Sequence, residues 1–201
     1  EDKWILSKLN SLVTEVNENF DKYELGLAAT KIYDFIWESF CDWYIEITKP
    51  RLREGDVGAQ QVLLYVLTEI LKLLHPFMPF ITEEIYQALP HEGEALMIQD
   101  YPTYKEELHF PEESERLEKV LDAIGAVRSR RSEMNVPPAR RPHLYLTTED
   151  PAAFESGRDS LCRLALVESM TILPQAPENA EGMASIATRY AVCYLLERQS
   201  F

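Results

Sequence analysis

A mainly α fold, a helical bundle followed by a small α/β unit of β-α-β-β order, is what this sequence predicts, and three observations predict it. Apolar residues recur three and four apart from Ile5 to Val127, the spacing that lays a stripe along one side of a helix. Proline interrupts those stripes at Pro50, Pro76 and Pro137, where it removes a backbone donor and restricts the residue before it. Beyond residue 140 the period shortens to the alternation of strands.

The first helix is predicted over 5–20 from Ile5, Leu9, Leu12, Val13, Val16 and Phe20. The second, 25–47, carries two stripes: Ala29, Ile32, Ile36, Phe40, Trp43 and Ile47, with Tyr33, Trp37, Cys41 and Tyr44 beside them, so it must touch several neighbours before Pro50 ends it. A third helix follows over 58–74, rich in Val and Leu, and stops at His75-Pro76. The apolar elbow 75–80 leads to Thr82, which reads as an N-cap with Glu83 and Glu84 on the helix dipole, and a short fourth helix runs to Leu89. Residues 90–113 read as a long surface connection lying against the bundle.

Ser114 is positioned to cap a fifth helix, with Leu117, Val120, Leu121, Ile124 and Val127 on one face, that ends near Asn135 before Pro137-Pro138. Strands are then predicted at 144–146, 170–173 and 190–194, with a helix from Pro151 to about 166 after the first of them. The expected division is a bundle over 1–140 and the α/β unit over 141–201.

Composition excludes several classes. With 46% hydrophobic residues, 7 Gly and 12 Pro in 201 residues, the chain is neither low-complexity nor collagen-like. Charged residues interrupt every apolar run short of the ~18 residues that a membrane span needs, so no crossing is expected. Cys41, Cys162 and Cys193 are odd in number and far apart, which points to core residues in a reducing cytoplasm rather than a disulfide framework. The start, Glu1-Asp2-Lys3-Trp4-Ile5, has neither an initiator Met nor a leader, and reads as a piece of a longer chain.

The net charge of −14 is uneven. Residues 1–115 hold 9 basic and 23 acidic side chains, 116–143 hold 7 and 3, and 144–201 hold 4 and 8. A polyanion would therefore have to meet the fifth helix and its proline-rich exit, or the turn Lys49-Pro50-Arg51-Leu52-Arg53. The scattered His75, His91, His109 and His143 form no metal-ligand pattern, and no nucleophile motif or phosphate-cradling glycine loop is present, so neither a catalytic nor a metal site is expected here. Trp37, Phe40, Trp43 and Tyr44 read as core; Phe20, Tyr23, Phe77 and Met78 would meet at one bundle tip if the helices alternate in direction.

Four stretches carry a resemblance. Asp2-Lys3-Trp4-Ile5-Leu6-Ser7, the run 35–46 that begins Phe35-Ile36-Trp37-Glu38, and Leu74-His75-Pro76-Phe77-Met78-Pro79-Phe80 resemble, in that order, the anticodon-binding domain of class I aminoacyl-tRNA synthetases. Arg131-Ser132-Glu133-Met134-Asn135-Val136-Pro137-Pro138 resembles the valyl-tRNA synthetase family in particular, with the isoleucyl and leucyl families as near alternatives and a helical protein-interaction module as the rival of another kind. The resemblance covers roughly residues 2 to 140, and the tail is similar to the small domain that precedes a C-terminal coiled-coil arm in that family.

It implies a cytoplasmic parent that attaches valine to tRNA(Val) with ATP and Mg²⁺, through catalytic and editing domains elsewhere in the chain. These 201 residues would carry no cofactor and supply recognition of the anticodon stem-loop. The expected phosphate contacts are Lys49, Arg51, Arg128, Arg130 and Arg131, the expected stacking residues Phe20 and Phe77, and the expected base-edge reader Asn135.

Overall fold

The structure, a computed structural model, describes residues 1–196. It divides into two compact units, Glu1–Ser114 and the chain from Glu115 onward. The packing boundary thus falls inside a helix, upstream of the composition change at residue 140.

In the first unit α1 (Asp2–Asp21) presents Ile5, Leu9, Leu12, Val13 and Val16 to the core, as its period requires. The second predicted helix is a continuous rod in three parts: α2 (Leu25–Asp34), a π-helical stretch Phe35–Ile45, and α3 (Glu46–Arg53). The wider π turn changes which residues face inward. Phe35, Phe40 and Tyr44 are buried at spacings of five and four, whereas the 3.6 period selects Ile36 and Trp43, which are only partly covered. Trp37 is 53% exposed, so it is a surface residue and not the core residue its helical spacing suggests. Pro50 does not end the rod. It lies inside α3 with one more turn beyond it, where few helical bonds remain to be lost, and Glu54 N–H still bonds Pro50 O at 3.1 Å.

After the turn, the Asp56 carboxylate accepts from Ala59 N–H at 3.1 Å and caps α4 (Val57–Leu74). Among the described residues α4 is the one helix long and apolar enough to cross a membrane by length and composition. It packs against α1, α2, α3 and α5, and Glu69 lies on its buried side. The next helix, α5 (Pro79–Ala88), begins at Pro79, whose fixed φ suits the first helical position. Thr82 is consequently not the cap: it is buried within α5 and bonds back to Met78 O at 2.8 Å and to His75 Nδ1 at 2.8 Å. Glu83 is not on the dipole either; its carboxylate accepts from Leu96 N–H at 3.0 Å and pins the following loop.

That connection lies against the bundle as expected, held by polar side chains of α1. Asn10 exchanges two bonds with the Lys105 backbone, at 2.7 and 2.9 Å. Asn17 donates to Pro102 O at 3.0 Å, and Ser7 accepts from Phe110 N–H at 2.6 Å. A segment without a regular partner thus has its backbone groups met by one helix face.

The helix α6 (Pro111–Glu133) starts at Pro111, so Ser114 is internal and not a cap; its hydroxyl has no hydrogen-bond partner among the described residues. In the second unit Val120, Ile124 and Val127 of α6 are buried, with Leu144 and Leu146 of β1 (His143–Thr148). The predicted helix from Pro151 is broken into α7 (Pro151–Ser156) and α8 (Arg158–Leu164) at Gly157. A Cβ on Gly157 would stand 2.8 Å from Val120 Cγ2, so only glycine permits this approach to α6. The sheet is completed by β2 (Ser169–Leu173), β3 (Met183–Ala187) and β4 (Ala191–Leu196). Its order is β2-β1-β4-β3, with β1 and β2 parallel and the other pairs antiparallel. The β-α-β-β expectation therefore lacked β3, a five-residue strand whose Ala184, Ser185 and Ala187 dilute the bulky alternation that marks the others. Residues 197–201 of the expected second domain lie outside the described residues.

Candidate nucleic-acid interface

The end of α1 and the elbow after α4 do meet. Phe20 lies 5.9 Å from Phe77 and 5.7 Å from Tyr101, ring centre to ring centre, in tilted arrangements. Antiparallel neighbours bring these chain-distant aromatics together. Tyr101, which sequence reasoning passed over, is anchored by donation from its hydroxyl to Leu73 O at 3.2 Å, and burial pushes its phenol pKa well up. Phe20 and Phe77 are thus partly covered by each other and close the bundle end.

The accessible rings at the elbow and the α1 turn are others: Phe80 and Tyr23 are each 90% exposed, and Met78 is half exposed. Tyr23 takes a left-handed φ of 59°, which sets its side chain apart from the α1 stripe. Phe80 follows Pro79 in the first turn of α5. The proline at the start of a helix was the available signal for it.

The predicted cations separate by their partners. Arg51 is closed in by three carboxylates: Glu1 at 2.7 Å, Asp2 at 2.8 Å and Asp56 at 2.8 Å. These hydrogen bonds raise its pKa further, and the Arg51 guanidinium in turn holds Asp56 below the usual carboxylate range. Arg51 ties the start of α1 to the cap of α4 and leaves little for a phosphate. Lys49 pairs with Glu46 one turn away, at a partly exposed position where a surface pair is worth little and exchanges readily.

Arg128 is exposed, and its Nε donates to Leu164 O at 2.8 Å. Arg130 meets Glu133 at 3.3 Å. Arg131 is only 5% exposed. Its Nη2 donates to Pro137 O at 3.3 Å and Arg140 O at 2.8 Å, so it holds the exit loop rather than facing outward, in contrast to the expected phosphate contact. Asn135 is the left-handed residue that ends α6, with φ of 50°. Its backbone closes the helix, and the residue is exposed. Arg140 and Arg141, also exposed, extend the basic surface past the helix end.

Residues 2–146 match the family described as the anticodon-binding domain of tRNA ligase. The chain is also similar to the valine–tRNA ligase of Clostridium acetobutylicum, at 44% identity over 200 residues, covering 96% of this chain and 23% of the relative. It is 47% identical over 152 residues to that of Carboxydothermus hydrogenoformans, covering 74% and 17%. It is 40% identical over 197 residues to that of Bacillus anthracis, covering 93% and 22%. The chain thus spans about a quarter of the length of the curated relatives that it matches over most of its own length.

Proposed function

The chain belongs to the anticodon-binding domain family of tRNA ligases, and from that premise we propose that it grips the anticodon stem-loop of tRNA(Val) as part of a cytoplasmic valine–tRNA ligase. The observation that carries the reading is the family match over 2–146, on a helical body whose tip presents exposed aromatics. Valine, rather than isoleucine or leucine, is supported by relatives that are valine–tRNA ligases. Activation of valine with ATP and Mg²⁺ and its transfer to tRNA belong to the remainder of the parent polypeptide.

In this reading unpaired loop bases stack on Tyr23, Phe80 and Met78, a revision of Phe20 and Phe77 toward the rings that solvent reaches. Lys49 and Arg130 contact phosphates, each exchanging a surface carboxylate for a phosphate oxygen, and exposed Arg128 contacts one while its Nε stays on Leu164 O. The amide of exposed Asn135 reads a base edge. Arg51 and Arg131 drop out as direct contacts on the geometry above. Residues 1–140 form the RNA-binding body, with 141–201 as an appended unit. The −14 net charge repels RNA from the remaining surface and so favours one orientation.

A gel-shift titration of the chain with tRNA(Val) and with an anticodon-substituted version, at one fixed salt concentration, tests this. Tighter binding of the natural anticodon is expected, and equal affinities would remove the anticodon-reading role.

A further inference from the structure

A cavity of about 150 Å³ opens at the end of α6, several times the ~30 Å³ that one water occupies. Its walls include Arg131, Arg140, Asn135, Met134, Pro137 and Leu195, with no Asp or Glu among the described lining residues. Arg131 is more than nine-tenths buried and its Nη1 has no acceptor among the described residues. The two acceptors that it does have, Pro137 O and Arg140 O, are neutral carbonyls. A buried guanidinium without a counter-charge is costly, and here Arg140 and Arg141 add like charge: burial first, then those two neighbours, pull the Arg131 pKa below its ordinary value. The carbonyls at the helix end do not oppose an anion strongly, because they are already bonded. Val136 N–H returns to Arg131 O at 2.9 Å and Met134 N–H to Arg130 O at 3.0 Å.

We propose that this cavity is an oxyanion site that takes a phosphate group, with Arg131 as the buried cation beneath it and Arg140 as the cation at its rim. Phosphate suits the buried charge of Arg131, whose Nη2 stays on the two carbonyls, and the planar donor fork of exposed Arg140, which binds such oxygens in pairs. The phosphate can come from the backbone of the bound RNA or from free phosphate in solution. The first source rests on the tRNA reading above, and the second does not.

The test uses the 201-residue chain, inorganic phosphate as probe, and matched ionic strength made up with chloride. Saturable broadening of the phosphate ³¹P signal is expected, with a rise in melting temperature beyond the chloride control. Arg140→Gln, which keeps the backbone carbonyl that Arg131 bonds, weakens phosphate binding at least fivefold, while Arg163→Gln on α8 leaves it unchanged. Arg131→Lys, which keeps the charge and loses the fork, weakens it as well. If an anticodon stem-loop RNA displaces the phosphate, an RNA phosphate is the occupant; if the RNA binds and displaces nothing, free phosphate is the ligand. Should the RNA fail to bind while Arg140-dependent phosphate binding persists, the tRNA reading fails and the oxyanion site stands. No saturable phosphate effect on the folded chain, or the same effect in Arg140→Gln, overturns the proposal.

Discussion

Arg51 and Arg131 are the same residue type in two basic stretches of the sequence, and the structure gives them opposite surroundings. Arg51, in the first unit, has three carboxylates within 2.8 Å. Arg131, in the second, has two carbonyl oxygens, two neighbouring arginines and no acid paired with it among the described residues. A cation compensated by acids is a clasp, and its charge is unavailable outward. A buried cation without such compensation holds neutral backbone while its charge still acts on whatever enters beside it. Local charge density in the sequence reports neither case, because it does not record which acceptors the fold brings within hydrogen-bond reach.

The comparison is broken most forcefully at Arg131. Arg131→Met removes two hydrogen bonds from a charged donor, leaving Pro137 O with Arg140 N–H alone at 3.0 Å, and a loss of about 2 kcal/mol is expected, since such bonds are worth ~1.5–3 kcal/mol each and relief of the desolvated charge offsets part of it. Urea unfolding measures it. A stability unchanged or raised would mean that the desolvation penalty outweighs the two bonds. Next is Arg51→Met, which leaves Glu1, Asp2 and Asp56 facing each other. We expect a loss of about 1 kcal/mol at low ionic strength that shrinks in high salt, because the pairs are partly exposed. A salt-independent loss would point to packing of the arginine stem instead.

Acid separates the two sites further. The folded pKa of Asp56 lies below its ordinary 3.8, chiefly through Arg51, so its contribution is complete above that value and is lost as pH falls through the lower, folded pKa. In melting curves from pH 5 down to pH 2.5, Arg51→Met should therefore flatten the acid-induced decline. Arg131→Met should leave its slope as in the unaltered chain, since among the described residues no carboxylate pairs with Arg131. Identical slopes in both variants would remove the contrast.

The smallest expected effect is at Asn135. Asn135→Gly keeps the left-handed backbone at φ 50° and removes the amide, so stability should change by no more than about 0.5 kcal/mol. A parallel drop in tRNA(Val) affinity would assign the amide to base reading; unchanged affinity would leave Asn135 as a helix terminator only.

Much of the fold was legible in the sequence. The stripe Ile5, Leu9, Leu12, Val13, Val16 placed α1, the Val- and Leu-rich run placed α4, and alternation placed three of the four strands, because burial of one face imposes a period on the residues that line it. The meeting of Phe20 with Phe77 followed from antiparallel order alone. The errors are equally physical. The π-helical stretch Phe35–Ile45 moved burial from Trp43 toward Tyr44, since a wider turn changes the repeat that the stripe must match. Thr82 and Ser114 have the chemistry of caps, but Pro79 and Pro111 start their helices three residues earlier.

What the sequence determined by itself was the set of faces of the regular helices and strands, where charge concentrates, and which family its motifs resemble. The tertiary structure alone decided how each polar group is occupied. Arg51 finds Glu1 and Asp56, Asn10 finds the Lys105 backbone, and Arg131 turns onto the Pro137 loop. Apolar burial is a periodic demand that any window of the chain displays. A hydrogen bond is a meeting of two particular atoms, and its partner is fixed only when distant segments pack.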